Sequence, residues 1–147
     1  MSSGLAYTDL GFIEAYGAAW DGPDSLVSYF ADSGVYTDVG GGVSAHGHDE
    51  IRRFVKGMLS FAPDSSVAFT SFLHADQFFV AEWVWSGTAA GPLVLNGRRF
   101  EPFGHGFSVS GVAVCTVDEF GKLLSHKDYW DTSVLVQQLE QAQQVVH

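Results

Sequence analysis

Leu123-Leu124-Ser125-His126-Lys127-Asp128-Tyr129-Trp130-Asp131 decides how this chain folds and where its chemistry sits. The stretch has the apolar and aromatic make-up of a strand, with the turn residues Asp118-Glu119-Phe120-Gly121 before it. Alternate side chains of a strand share a face, so His126, Asp128 and Trp130 point one way and Lys127, Tyr129 and Asp131 the other. Lys127 and Asp131 suit water, which leaves Asp128 and His126 on the face to be enclosed. A carboxylate against aromatic walls is costly unless it is hydrogen-bonded or takes a proton. Active sites use that property to make acids and bases. The competing reading is an edge strand with solvated charges.

Upstream, residues 67–73, 78–88 and 107–117 are also rich in aromatic and β-branched residues, and Asn96-Gly97 signals a hairpin. The first sixty residues read differently. Phe12, Ile13, Tyr16 and Trp20 recur at helical spacing within a helix starting at Thr8 or Asp9 and ending at Asp21-Gly22-Pro23. Pro23 suits the first position of a second helix running to Phe30. Residues 35–38 read as a strand, stopped by Gly40-Gly41-Gly42. A third helix carries Ile51, Phe54, Val55, Met58 and Leu59 on one stripe, with Asp49 and Glu50 in its first turn. Thr132 caps a short terminal helix containing Val134, Leu135 and Leu139. Helices first and antiparallel strands later predict an α+β fold: a curved, mostly antiparallel sheet wrapped by three N-terminal helices, forming a cone with an interior pocket.

The 147 residues suffice for one domain, 1–147, that buries about two-thirds of its unfolded surface. Twelve Phe, four Trp and five Tyr imply either a generous core or a ring-lined cavity. Seven Lys and Arg face seventeen Asp and Glu, and a net charge of -10 argues against nucleic acid and anionic membrane as partners. Cys115 stands alone, so it forms no internal disulfide and reads as a small strand residue. No secretory leader or 18-residue apolar run is recognisable, so a soluble, cytoplasmic protein is expected. His46 and His48 lack a third ligand nearby, and no metal is expected. Gly40-Gly41-Gly42 is not followed by the Lys-Ser/Thr of a phosphate loop.

Four segments carry a family resemblance: residues 29–38, residues 46–51, Glu82-Trp83-Val84-Trp85-Ser86-Gly87, and Gly121-Lys122-Leu123 running into Asp128-Tyr129-Trp130-Asp131. In this order they resemble the cystatin-like cone fold of ketosteroid isomerases, limonene epoxide hydrolases and SnoaL-type polyketide cyclases. The isomerase resemblance implies a catalytic aspartate at Asp38 and an oxyanion-binding tyrosine at Tyr16. It places the second oxyanion donor at Ala113, which cannot donate, so full isomerase chemistry is not implied. The hydrolase resemblance matches Asp128 to a catalytic aspartate, and Tyr36 with Asp38 to the residues that hold the attacking water. It puts Trp83 and Trp85 where those enzymes carry an Arg and an Asp, and indole can replace neither ionically. Cyclases of the SnoaL type use an aspartate in the last strand, matched by Asp128 or by Asp131.

Both resemblances place Asp38 and Asp128 at one end of one cavity. Two carboxylates in a poorly hydrated site tend to share one proton, which supplies an acid and a base together. Asp128 is then the principal acid–base group and Asp38 its partner, with a turn-capping role beside the glycines as the alternative for Asp38. His126 shares the face of Asp128 and can shuttle a proton or set its state. Tyr16 can polarise a substrate oxygen, although its spacing fits core packing equally well. Tyr36 is assigned to the strand face opposite Asp38 unless a bulge intervenes. Phe79, Ala81, Trp83 and Trp130 take the pocket-facing parity that the resemblance implies, and His105 shares parity with Ala113.

The expectation is a small cofactor-independent enzyme, a cyclase, isomerase or dehydratase, acting on an apolar polyketide-, terpenoid- or steroid-like substrate. An epoxide hydrolase with a rebuilt site is the first alternative. A non-catalytic ligand-binding or protein-interaction module of the same fold is the second. The resemblance also implies a homodimer.

Overall fold

The computed structural model describes residues 6–9, 11–101 and 104–145. Helix α1 (Phe12–Ala18) tightens into a 3-10 turn at Ala19–Asp21, and α2 (Pro23–Val27) leads into strands β1 (Phe30–Asp38) and β2 (Val43–His46). Helix α3 (Gly47–Phe61) precedes β3 (Ser66–Phe69), β4 (Leu73–Ala75) and β5 (Phe78–Ala89). A small hairpin, β6 (Leu93–Leu95) and β7 (Arg98–Phe100), separates β5 from β8 (His105–Val117). Strand β9 (Leu123–Trp130) and helix α4 (Thr132–Val145) complete the chain.

Seven strands make one curved sheet in the order β2-β1-β9-β8-β5-β3, with β4 also paired to β5. Every pairing is antiparallel except β1 with β9, which is parallel. That one parallel pair positions the site. It sets Tyr36 beside His126 and Asp38 beside Asp128 in register, although the partners lie ninety residues apart in the chain. Partners in register share a sheet face.

The fold is the α+β cone expected from the sequence, with α1, α2 and α3 against the inner face and α4 as a fourth helix. Helix α3 forms because its apolar stripe returns every three or four residues. Ile51, Val55 and Phe61 are fully buried by it, each such side chain contributing about 1.5–3 kcal/mol. Asn96 (φ 51°) and Gly97 (φ 80°) turn the β6–β7 hairpin through two left-handed residues, as an Asn-Gly pair favours. The Phe61 carbonyl accepts from Ala90 N–H at 2.7 Å and Gly91 N–H at 3.0 Å, pinning the base of the hairpin to the end of α3.

Several boundaries moved. Helix α1 starts at Phe12, later than Thr8 or Asp9, and position 10 lies outside the described residues. Helix α2 stops at Val27 because Phe30 already pairs with Leu123. A register shift between Phe30 and Val35 then bends β1. Gly34 fills that bend, where a Cβ would come within 2.8 Å of the Leu123 carbonyl oxygen. The glycine run turns the chain into β2, a strand that the sequence pattern did not signal. Residues 67–73 break into two strands that both pair with β5. Among the described residues no helix is long and apolar enough to cross a membrane.

Candidate active site

Asp38 at the end of β1 and Asp128 two residues before the end of β9 lie on the inner face, each 7% exposed. Asp128 accepts three hydrogen bonds. Oδ1 takes His126 Nε2 at 2.7 Å and Trp83 Nε1 at 2.9 Å, and Oδ2 takes the Tyr36 hydroxyl at 2.6 Å. Behind it, His126 Nδ1 meets the Tyr16 hydroxyl at 2.7 Å. Asp38 uses one oxygen only: Oδ1 accepts Trp130 Nε1 at 2.6 Å and Gly41 N–H at 2.9 Å. Among the described residues no donor reaches its Oδ2.

Burial alone pulls the His126 pKa down, but the Asp128 carboxylate outweighs it, aided by Cys115 alongside, and pushes the value up to about 10. The imidazole is therefore a buried cation paired with Asp128, both ring nitrogens donating. Burial raises the Asp38 carboxyl, the Gly41 and Trp130 donors oppose that rise, and the Asp128 charge adds to it. Burial also lifts the Tyr16 and Tyr36 hydroxyls well above their ordinary value, so both stay neutral, Tyr36 donating to Asp128 and Tyr16 accepting from His126 Nδ1–H. The two carboxyl groups are thus unlike: one is saturated by donors, the other strained toward its protonated form with an oxygen to spare.

Asp38, Asp128, Tyr36 and His126 line a cavity of about 300 Å3, at the lower end of the range for small-molecule sites. All four tryptophans of the chain, Trp20, Trp83, Trp85 and Trp130, contribute to its wall. Glycines let them in. Gly111 lies opposite Trp83 in the β5–β8 pairing, and a Cβ there would run into the indole ring. Gly40 packs its backbone on Trp130, where a Cβ would sit 2.8 Å from Nε1. Gly111→Ala is expected to displace the Trp83 ring from Asp128 and destabilise the protein by about 1–3 kcal/mol, as overpacking does. An unchanged urea midpoint would refute that packing account.

The SnoaL-like domain model matches residues 11–126. The chain belongs to the SnoaL-like domain family. Solved structures of the same fold agree. A protein of ketosteroid isomerase-like fold from Catenulispora acidiphila, in complex with trimethylamine, superposes with a TM-score of 0.75 at 22% identity, over 90% of this chain and 95% of its own. A proposed hydroxylase from Streptomyces galilaeus gives 0.71 at 18% identity, over 87% and 78%. A proposed SnoaL-like polyketide cyclase from Jannaschia gives 0.70 at 17% identity, over 88% and 85%. Among curated protein sequences none matches.

This SnoaL-like chain brings only some of the expected residues to the cavity. Asp38, Asp128, His126, Tyr36, Trp83 and Trp130 are in its wall, His126 without exposed surface of its own. Tyr36 does not lie opposite Asp38: residues two apart in a strand point the same way, and both are buried on the inner face. Tyr16 does not line the cavity but stands one layer back, held on His126. Phe79, Ala81 and Ala113 have the expected parity, yet they are packed in the core and do not reach the cavity. The cone has closed at their level, where Phe79 meets Phe12 and Tyr16. His105 is exposed at the start of β8, opposite Ala89.

Asp38 does cap the turn at Gly41, as the alternative had it, with its second oxygen remaining for the cavity. Trp83 supports Asp128 by a hydrogen bond in place of an ion pair. His48 bonds the Phe30 carbonyl at 2.9 Å, and among the described residues no three metal-ligating side chains converge. Sequence reasoning missed Trp20, Arg53, Phe61 and the hairpin residues Leu93 and Leu95 as lining residues. Trp85 was legible by parity, two residues beyond Trp83. The hairpin carried no signal, because its place over the cavity depends on the Phe61 contacts.

Proposed function

We propose that this SnoaL-like protein is a cofactor-independent enzyme that moves protons on an apolar, ring-bearing carbonyl compound, as a cyclase, isomerase or dehydratase. One observation carries the reading: Asp38, buried and with a raised pKa, keeps an Oδ2 that no donor among the described residues reaches, in a tryptophan-lined cavity beside a second carboxylate that accepts three hydrogen bonds. Asp38 in its ionised form takes a proton from the carbon next to the substrate carbonyl and returns it elsewhere. Asp128 keeps the neighbouring negative charge that makes Asp38 a stronger base, while His126 and Tyr16 hold Asp128 in place. The Tyr36 hydroxyl and the Trp83 N–H orient Asp128 from the cavity side. This arrangement reverses the order of importance expected from the sequence, because the oxygens of Asp128 are engaged by three donors while Asp38 accepts through Oδ1 alone.

The experiment is deuterium wash-in. Fused-ring ketones, 2-tetralone being the simplest, are incubated in deuterium oxide and followed by proton NMR at the α-carbon. Exchange faster than in buffer, at a single prochiral position, is expected; a panel of such ketones showing buffer rates would overturn the proposal. Incorporation of labelled water into a diol from an aryl epoxide would instead favour the hydrolase.

We also propose that the protein is a homodimer through the outer sheet face, where Leu124 and Tyr129 are exposed. A monomeric mass by light scattering at micromolar concentration would refute it.

A further inference from the structure

We infer that the mouth of the cavity recognises an acidic group, so that the ligand is an amphiphile with its ring body inside and a carboxylate, or a comparably charged oxygen, held by Arg53. The inference rests on the pocket reading above and adds the substrate class. Four lining residues, Val43, Arg53, Gly57 and Val94, are exposed and define the mouth.

The chain has seventeen acidic side chains for seven basic ones, and three of its four arginines are taken by them. Arg52 pairs with Asp24 at 2.9 Å and Asp49 at 3.1 Å, Arg98 with Glu140 at 2.9 Å, and Arg99 with Glu101 at 2.7 Å. Arg53 makes no ion pair or hydrogen bond among the described residues. A guanidinium left unpaired amid such an excess of acids, on the rim of the cavity, is a ready partner for an anion from outside.

Gly57 is the second observation. It stands one turn beyond Arg53 on the same face of α3, in a helix interior, where glycine is destabilising. Packing does not require it: a Cβ there would meet nothing within 4 Å. A side chain at this position would instead project into open space at the entrance, one helical turn from Arg53. The helix therefore forgoes stability where an open mouth is needed.

Charge then sets the orientation. Inside, the Asp128 charge is offset by His126, so the Asp38 carboxylate is the one that repels an acid, whereas Arg53 attracts one at the rim. A ligand carrying one acidic group enters ring first.

The test uses a matched pair of probes, anthracene-9-carboxylate and the neutral anthracene-9-methanol, followed by quenching of the four cavity tryptophans. The wild-type protein is expected to bind the carboxylate more tightly, with a preference that shrinks as salt is raised. Arg53→Gln should weaken the carboxylate about fivefold, the worth of a partly exposed ion pair, and the alcohol less than twofold. Gly57→Leu should weaken both while keeping the helical circular dichroism. If Arg53→Gln shifts both probes equally or neither, acid recognition is refuted and the pocket reading stands. If neither probe binds the wild type, both fall. If the carboxylate preference holds but deuterium wash-in fails, the catalytic reading alone is lost.

Discussion

Asp38→Asn is expected to lower proton exchange at the cavity by about 10^3-fold, the contribution typical of a positioned general base. The amide keeps an oxygen for the Trp130 and Gly41 donors, so the loop should hold its shape. Stability should hold or rise. The Asp38 pKa is raised in the folded protein, so its contribution is fully present below the ordinary value of 3.8 and is lost as pH rises through the folded value. At neutral pH the anion is therefore a burden that asparagine removes. Unimpaired wash-in of 2-tetralone by the variant would remove Asp38 from the mechanism. A large fall in the melting temperature would show that its charge is structural instead.

Asp128→Ala is expected to destabilise the fold by about 3–5 kcal/mol, the usual cost of removing one partner of a buried ion pair. It orphans three donors, Tyr36, Trp83 and His126, and leaves the imidazolium without its counter-ion. A pH series makes this specific. His126 is raised from 6.5 to about 10, so the stability it contributes is fully present below about pH 6.5 and is lost as pH rises through about 10. Within that window the unfolding free energy should fall by about 1.4 kcal/mol per pH unit, the slope of one proton. Burial raises Cys115 above 9.0 and the two tyrosines above 10.0, so their losses begin only at the alkaline end. Urea midpoints between pH 6.5 and 9 thus report His126. The milder Asp128→Asn should flatten that slope, and a wild-type midpoint constant across the window would contradict the charged pair.

The two variants separate roles that the sequence could only pair. In the chain, Asp38 and Asp128 look alike, each a lone acid beside aromatic residues. The difference between them lies in the donors each one meets. For Asp128 these come from β1 and β5 as well as from its own strand, and for Asp38 from β9 and the glycine turn. No local pattern encodes such a census.

Sequence alone determined what short-range physics controls. Period-two alternation put His126, Asp128 and Trp130 on one face, the stripe from Ile51 to Leu59 made α3, and Asn96-Gly97 made its hairpin. With the motif order, these were enough for the cone and for two acids meeting inside it. Tertiary structure decided depth and occupancy. Parity says which face a side chain takes but not how far along the strand the cone has closed, so Phe79 and Ala81 are core while Trp83 and Trp85 are cavity wall. The parallel pairing of β1 with β9, the collapse of Phe12 and Tyr16 onto Phe79, and the hairpin docked on Phe61 all depend on contacts between distant segments. Such contacts decide which buried groups find partners, and so which carboxyl is left free to exchange a proton.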